Sequence, residues 1–203
     1  MNQLTRNAYG KINLGLDVLR RRPDGYHDVK MIMQTVDVYD TLMFTQRADE
    51  VITLTCDDTK LPCDENNLIY KAAKLILDHT QAKKGVDIHL QKRIPVAAGM
   101  AGGSTDAAAT LCGLNELFGL GLDQETLLKL GVQIGADVPF CIMGGCALSE
   151  GIGEVLTPLP TPPSCELVIA KPDIDVSTKY VYEHLNLPAL TSHPDIDGIR
   201  RAI

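Results

Sequence analysis

Residues 95–106 read PVAAGMAGGSTD, and an alanine run, Ala107-Ala108-Ala109, follows at once. Just upstream, Val86, Ile88 and Leu90 alternate with Asp87, His89 and Gln91, the two-residue period of a half-buried strand. Downstream, residues 105–118 are rich in Ala and Leu, which predicts a helix. Small residues let backbone approach a ligand closely, and glycines can turn successive amides the same way. The helix start adds unsatisfied N–H groups and a positive dipole end, so the whole junction suits an anion, phosphate above all. Ser104 or Thr105 is expected to cap the helix, and either hydroxyl could also reach a phosphate or a magnesium ion. The segment holds no G-x-x-x-x-G-K-[ST] and lacks the G-x-G-x-x-G spacing, so it is neither a Walker loop nor a dinucleotide fingerprint. A tight strand-to-helix turn without a ligand also fits it.

Around this junction the chain is ordered as strands, helices and strands again, an α+β pattern. The first segment alternates, with Ile12, Leu14, Leu16 and Val18 on one face and Lys11, Asn13, Gly15 and Asp17 on the other, so Lys11 and Asn13 project together. Arg22-Pro23-Asp24-Gly25 is a turn, and residues 29–38, 41–45 and 51–56 read as strands. From Asn67 the period becomes helical through Leu68, Ile69, Ala72, Ala73 and Ile76, with Lys83-Lys84-Gly85 closing the helix. Residues 123–134 form a second amphipathic helix beyond the alanine-rich one, and residues 135–139, GADVP, lead into a short apolar element. Strands are expected at 145–150, 154–159 and 166–171, a helix near Ser177, and a last helix through residues 199–203. With no internal repeat, one domain is the simplest organisation.

Composition removes several classes of function. Nineteen basic against 26 acidic residues leave a net charge of −7, and with three Phe, six Tyr and no Trp the chain has neither a basic footprint nor a stacking platform for nucleic acid. The 45% hydrophobic and 22% charged content is that of a globular protein. Uncharged stretches such as 138–149 fall short of the roughly 18 residues of a membrane span. No export signal opens the chain, so a cytoplasmic location is expected. The six cysteines form no C-x-x-C pair and sit mostly in apolar runs, as reduced, buried thiols rather than disulfides or metal ligands.

Single residues carry two readings each. Lys11 in an alternating strand is by itself a solvated side chain. Asp137, just ahead of Val138-Pro139, is by itself a helix N-cap, although a carboxylate held ionised by a helix dipole can also orient a substrate hydroxyl or take its proton. Tyr26 and His27, after the turn, could form a stacking and hydrogen-bonding edge for a base.

In combination, the early Lys11-Ile-Asn13 strand, the DGYH turn at 24–27, Asn67-Leu-Ile, residues 95–109, residues 135–140 and Lys171-Pro172 with Val176-Ser177-Thr178 resemble the GHMP kinase superfamily. The glycine-serine loop carries the superfamily resemblance; the DGYH turn and Lys-x-Asn pair narrow it to members acting on a cytidine diphosphate-linked methylerythritol. The resemblance implies a mixed sheet packed against helices, like domain 2 of ribosomal protein S5. It places an N-terminal ATP-binding domain over 1–160 and the start of a smaller C-terminal domain, cut short, over 161–203. It implies phosphorylation of the substrate's 2-hydroxyl by ATP and Mg²⁺, a step of non-mevalonate isoprenoid precursor synthesis. Lys11 and Asp137 match the catalytic pair. Pro95, Val96, Ala97, Ala98, Gly99, Met100, Ala101, Gly102, Gly103, Ser104 and Thr105 match the cradle of the ATP phosphates, and Asn67, Leu68 and Lys92 its adenine side. Tyr26 and Tyr182 match rings that sandwich cytosine, with His27 on its edge and Asn13 and Thr178 nearer the phosphates and sugar. No residue matches a resident metal ligand. Met100, Ala101 and Thr105 stand where leucine, glycine and serine are common. Family members continue into another glycine-rich motif beyond the point where this chain stops, so the alternatives are a non-catalytic nucleotide-binding module or another small-molecule kinase of the superfamily.

Overall fold

The computed structural model describes residues 2–174 and 176–203, apart from the side chains of Thr178 and Lys179. Two long antiparallel strands, β1 (Gln3–Arg21) and β2 (His27–Arg47), open the chain. The two strands predicted over 29–38 and 41–45 are one, because the β-branched and aromatic residues Val36, Val38, Tyr39 and Thr41 carry the pleat across with no Gly or Pro to interrupt it. The turn between β1 and β2 is where the Arg-Pro-Asp-Gly sequence places it, with the Tyr26 amide donating to Asp24 Oδ1 at 3.1 Å.

Register along β1 shifts at Tyr9/Lys11, Asn13/Gly15 and Val18/Arg20. Each irregularity swings the side chains that follow it to the opposite face. The expected apolar face is therefore corrected: Leu14 and Leu16 are exposed, while Lys11 and Asp17 are buried. Lys11 and Asn13 do project together, Lys11 Nζ donating to Asn13 Oδ1 at 3.3 Å.

The free edge of β2 is shared. Its Thr41–Arg47 part pairs with β4 (Gly85–Gln91), and its Met31–Gln34 part with β5 (Cys146–Glu150). Beyond these lie β3 (Ile52–Cys56), parallel to β4, and β6 (Val155–Leu159), antiparallel to β5, giving the order β3-β4-β2-β5-β6 with β1 on the other edge of β2. The parallel pair needs a crossover, which α1 (Leu68–Thr80) supplies.

With α2 (Gly102–Leu117) and α3 (Gln124–Ile134), α1 covers one face of the sheet over a core that includes Phe44, Ile69, Ile88, Leu111 and Leu114. A short α4 (Val138–Met143) sets Phe140 against Met31 and Met33, and α6 (Ile196–Ala202) sets Ile196 against Ile32 and Leu148 on the opposite face. Met31, Ile32 and Met33 are consequently buried in succession, since β2 is covered on both sides there. The fold is α+β, a mixed sheet with helices.

Three other expectations are corrected. Helix α1 ends at Gln81, which takes a left-handed φ of 52°, so Lys83 and Lys84 lie in the connection and Gly85 begins β4. Helix α2 begins at Gly102, not Thr105, and its N-cap is Ala101, so neither Ser104 nor Thr105 caps it. Residues 166–171 join no ladder, and Val168 is 98% exposed. Pro158 on the edge strand and Pro160, Pro162 and Pro163 after it withhold the N–H donors that another strand would need. The helix expected near Ser177 is α5 (Thr178–Glu183), with Ser177 Oγ accepting the Tyr180 amide at 3.1 Å, and the last predicted helix is part of α6. All six cysteines are free, but the expectation that they are buried is corrected: Cys146 is buried, Cys56, Cys112 and Cys141 are partly so, and Cys63 and Cys165 are exposed. No helix among the described residues is long and apolar enough to cross a membrane.

Candidate active site

Strand β4 delivers the chain to a loop at the mouth of a cleft of about 1510 Å³. In this loop Ala97, Gly99 and Ala101 have φ of 54°, 69° and 57°, alternate residues in the left-handed region. Alternation of this kind turns successive amides toward one side, and at the two alanines it costs about 1–2 kcal/mol each. Surrounding contacts hold the strain: Lys11 N donates to the Met100 carbonyl at 3.1 Å, and Met100 is buried with Val36 and Ile94. At the loop's end the Thr105 amide bonds to Ala101 O at 2.8 Å, but no side chain from Ala101 caps the first turn. The amides of Gly102, Gly103 and Ser104 are thus left for an anion.

Beneath the loop is a buried ionic cluster. Lys92 Nζ is bound by Asp40 Oδ2 and lies 3.0 Å from Asp106 Oδ2, and Asp40 Oδ1 accepts the Ile94 amide at 2.8 Å. Burial works against the Lys92 ammonium, but Asp106 and Asp40 outweigh it and raise its pKa. Burial pushes the Asp106 carboxyl up to about 7, with Lys92 opposing and the Asp40 charge reinforcing the shift. A Cβ on Gly102 would meet Lys92 Nζ at 2.9 Å and Ile94 Cγ2 at 3.2 Å, so the helix start lies close against this cluster and a larger residue there forces a shift.

Across the cleft, Gly135 leaves α3 in an extended conformation and Asp137 occupies the N-cap position of α4. Its carboxylate accepts none of that helix's amides. It faces Lys11 instead, with Nζ to Oδ2 at 3.8 Å, the lysine side chain 7% exposed and the aspartate 32% exposed. The N-cap reading of Asp137 therefore describes its backbone and not its side chain, and the solvated reading of Lys11 is overturned by the register shifts of β1. A buried ammonium beside a carboxylate that a substrate can still reach is a pair suited to receiving a hydroxyl proton and offsetting charge on a transferring group. Cys141, one turn along α4, is no rival nucleophile: burial, with the Asp137 charge adding to it, pushes its thiol up to about 12.

Residues 67–145 match the family model described as "GHMP kinases N terminal domain". The 4-diphosphocytidyl-2-C-methyl-D-erythritol kinase of Lachnoclostridium phytofermentans is 56% identical over the whole of this chain, which spans 70% of that protein. That of Bacillus subtilis is 51% identical over 99% of this chain and 69% of its own length. The chain belongs to the 4-diphosphocytidyl-2-C-methyl-D-erythritol kinase family. A solved structure of a kinase of that family superposes with a TM-score of 0.80 at 34% identity, over 98% of this chain and 70% of the other.

Of the residues that the sequence matched to the family's site, the cleft is lined by Lys11, Asn13, Tyr26, His27, Asn67, Leu68, Lys92, Asp137, Tyr182 and all of residues 95–104. Thr105 is not among them, because it is buried and its hydroxyl donates to the Tyr9 carbonyl at 2.7 Å, tying α2 to β1. The side chain of Thr178 lies outside the described residues. Asn67 is the N-cap of α1, with Oδ1 accepting the Ile69 amide at 2.9 Å and Nδ2 donating to Pro62 O at 2.7 Å, so its amide is engaged by the protein. Tyr182 stacks on His27 with ring centroids 5.1 Å apart and an interplanar angle of 26°, a spacing that leaves no layer between them for a base. Tyr26 is 59% exposed beside them.

Sequence reasoning missed the roles of Asp40 and Asp106 in the ionic cluster and of Ala136 in the cleft lining. Asp106 ends the glycine-serine motif and was visible there without a role; Asp40 sits in a strand, and only the fold brings it to Lys92.

Proposed function

We propose that this chain transfers the γ-phosphoryl group of ATP to the 2-hydroxyl of 4-diphosphocytidyl-2-C-methyl-D-erythritol, a step of non-mevalonate isoprenoid precursor synthesis carried out in the cytoplasm. The observation that carries the reading is Asp137: a carboxylate at a helix start that caps nothing, stands beside buried Lys11 and faces the open amides of the phosphate loop across one cleft.

In this reading residues 95–104 hold the triphosphate through backbone amides and the positive end of α2, with the Ser104 hydroxyl reaching a phosphate oxygen. Asp137 orients the acceptor hydroxyl and takes its proton. The Lys11 ammonium keeps Asp137 ionised and offsets charge on the phosphoryl group in flight, which is most of what this chemistry asks of a protein. No group of three or more His, Cys, Asp or Glu side chains suited to a metal occurs among the described residues. Mg²⁺ bound with ATP is held mostly by phosphate oxygens and waters, and the Ser104 hydroxyl, which lines the cleft beside them, would supply the protein's share. The ion would neutralise phosphate charge. Leu68, Lys92 and Asn67 would border the adenine, and Tyr26, Tyr182, His27, Asn13 and Thr178 the cytidine diphosphate and methylerythritol.

Incubating the protein with Mg-ATP and the cytidine diphosphate-linked substrate tests this by mass spectrometry. The reading expects substrate to gain one phosphate as ADP accumulates. Saturable nucleotide binding with no phosphorylated product at any protein concentration would instead identify a binding module, and equal transfer to acceptors lacking the cytidine group would identify another kinase of the superfamily.

A further inference from the structure

The Asp137 carboxylate takes no bond from the helix it heads, so its position depends on the backbone of residues 135–137. That backbone lies between two neighbouring segments. On one side is the phosphate loop, where a Cβ on Gly135 would lie 3.9 Å from Ser104 Oγ. On the other is the tip of the β5–β6 hairpin, residues 151–154. A Cβ on Gly153 would lie 3.7 Å from Ala136 Cβ, 3.8 Å from Ala136 O and 3.3 Å from Met31 Cε. Gly153 has a φ of 123°, a conformation that only glycine adopts readily.

The tip is pinned more firmly than a surface turn requires. Val29 N donates to Gly151 O at 2.8 Å, and Ile152 N donates to Glu154 Oε2 at 2.7 Å. Ser149, fully buried, donates its hydroxyl to Gly153 O at 2.7 Å. A buried serine fixing the carbonyl of a left-handed glycine is a costly way to shape a turn. The residue it presents, Gly153, stands beside Ala136 with room for about a methyl group between them.

We propose that the 151–154 tip, locked by Ser149, is a positioning element for phosphoryl transfer: it backs Ala136 and thereby holds Asp137 against Lys11. This rests on the kinase reading above. Ser149 and Gly153 touch no reacting atom in this account and act through Asp137.

Three readouts test it. Removing the hydroxyl by Ser149→Ala frees the tip, and a slip of about 1 Å at a reacting group costs on the order of 100-fold in rate, so kcat is expected to fall at least about tenfold with nucleotide affinity unchanged. Ser149→Thr, which keeps the hydroxyl, restores kcat. In an Asp137→Asn background, Ser149→Ala costs nothing further, whereas a merely structural residue would cost its full amount in both backgrounds. Hydrogen exchange needs no turnover: in Ser149→Ala the amides of Val138 and Cys141 exchange faster while those of β4 do not. If Ser149→Ala fails to fold, Gly153→Ala, which leaves the serine bond in place, carries the same expectations. Unchanged kcat in a folded variant, full loss retained in the Asp137→Asn background, or unchanged exchange at Val138 would each overturn the proposal. Absence of transfer by the unaltered protein would count against the kinase reading alone, because the exchange readout still reports on the hairpin.

Discussion

Lys11 Nζ stands 3.8 Å from Asp137 Oδ2, one residue on a bulged strand and the other at a helix start whose amides its carboxylate ignores. The lysine is buried and the aspartate a third exposed, so the pair has one side packed in protein and one side open to the cleft. That asymmetry separates their tasks: Lys11 supplies a fixed charge, and Asp137 meets what enters.

Replacing Lys11 with methionine keeps the stem and removes the charge. Transfer is expected to slow by about 100- to 1,000-fold, the usual cost of losing one preorganised electrostatic partner, while nucleotide binding changes little. Lys11→Arg should not rescue it, since a planar guanidinium cannot take the place of a compact ammonium in a site packed this closely. Steady-state kinetics with isothermal nucleotide titration separates the two effects.

Gly102→Ala should act on the nucleotide instead. The new methyl group meets Lys92 Nζ at 2.9 Å and Ile94 at 3.2 Å, so the first turn of α2 must lift away from the ionic cluster. The expected result is weaker ATP binding by about tenfold, or roughly 1.4 kcal/mol, with a smaller change in kcat at saturation. A variant with normal ATP affinity would show that the amides of that turn do not hold the phosphates.

The cluster itself predicts a pH dependence of stability. Asp106 titrates near pH 7 in the folded protein against its ordinary 3.8, so between these values the folded chain keeps a proton that the unfolded chain has lost. Its contribution is therefore most favourable below about pH 4, is lost as pH rises through about 7, and is constant above that. Urea unfolding from pH 5 to 8 should show stability falling with this profile, and Asp106→Asn should flatten it. Lys92→Met, which strands two buried carboxylates, should cost about 3–5 kcal/mol, the range for breaking a buried ion pair.

Cysteine reactivity gives a chemical view of the same site. Cys63 and Cys165 are exposed, whereas burial beside Asp137 keeps the Cys141 thiol protonated to about pH 12. Brief alkylation at pH 8 followed by peptide mapping should modify Cys63 and Cys165 and spare Cys141. Labelling of Cys141 as fast as Cys63 would mean that α4 opens and that the wall behind Asp137 is not closed.

Much of this was legible in the sequence because local physics decides it. The alternation of β4, the glycine-rich junction, the alanine-rich helix and the helices from about Asp123 and Ser177 are each set by neighbouring residues, and the structure keeps them. What could not be read depends on pairing across the chain. The bulges of β1 come from its register with β2, and they turned Lys11 inward while leaving Leu14 and Leu16 outside. Whether residues 166–171 form a strand depends on a partner rather than on their own apolar pattern. Ser104 and Thr105 were plausible caps by type, but Ala101, left-handed without a capping side chain, starts the helix sooner and opens the amides that the site needs. Asp40 and Asp106 acquire meaning only when β2 and α2 bring them to one ammonium.

The most direct test of the account is the single-turnover rate from preformed protein–ATP complex to the cytidine diphosphate-linked acceptor, compared between the unaltered chain and Asp137→Asn. Asparagine keeps the size and loses the proton acceptor, so transfer should fall by about 100- to 10,000-fold with ATP affinity intact. Transfer at the unaltered rate would contradict the assignment of Asp137, and with it the catalytic pairing on which the site is built.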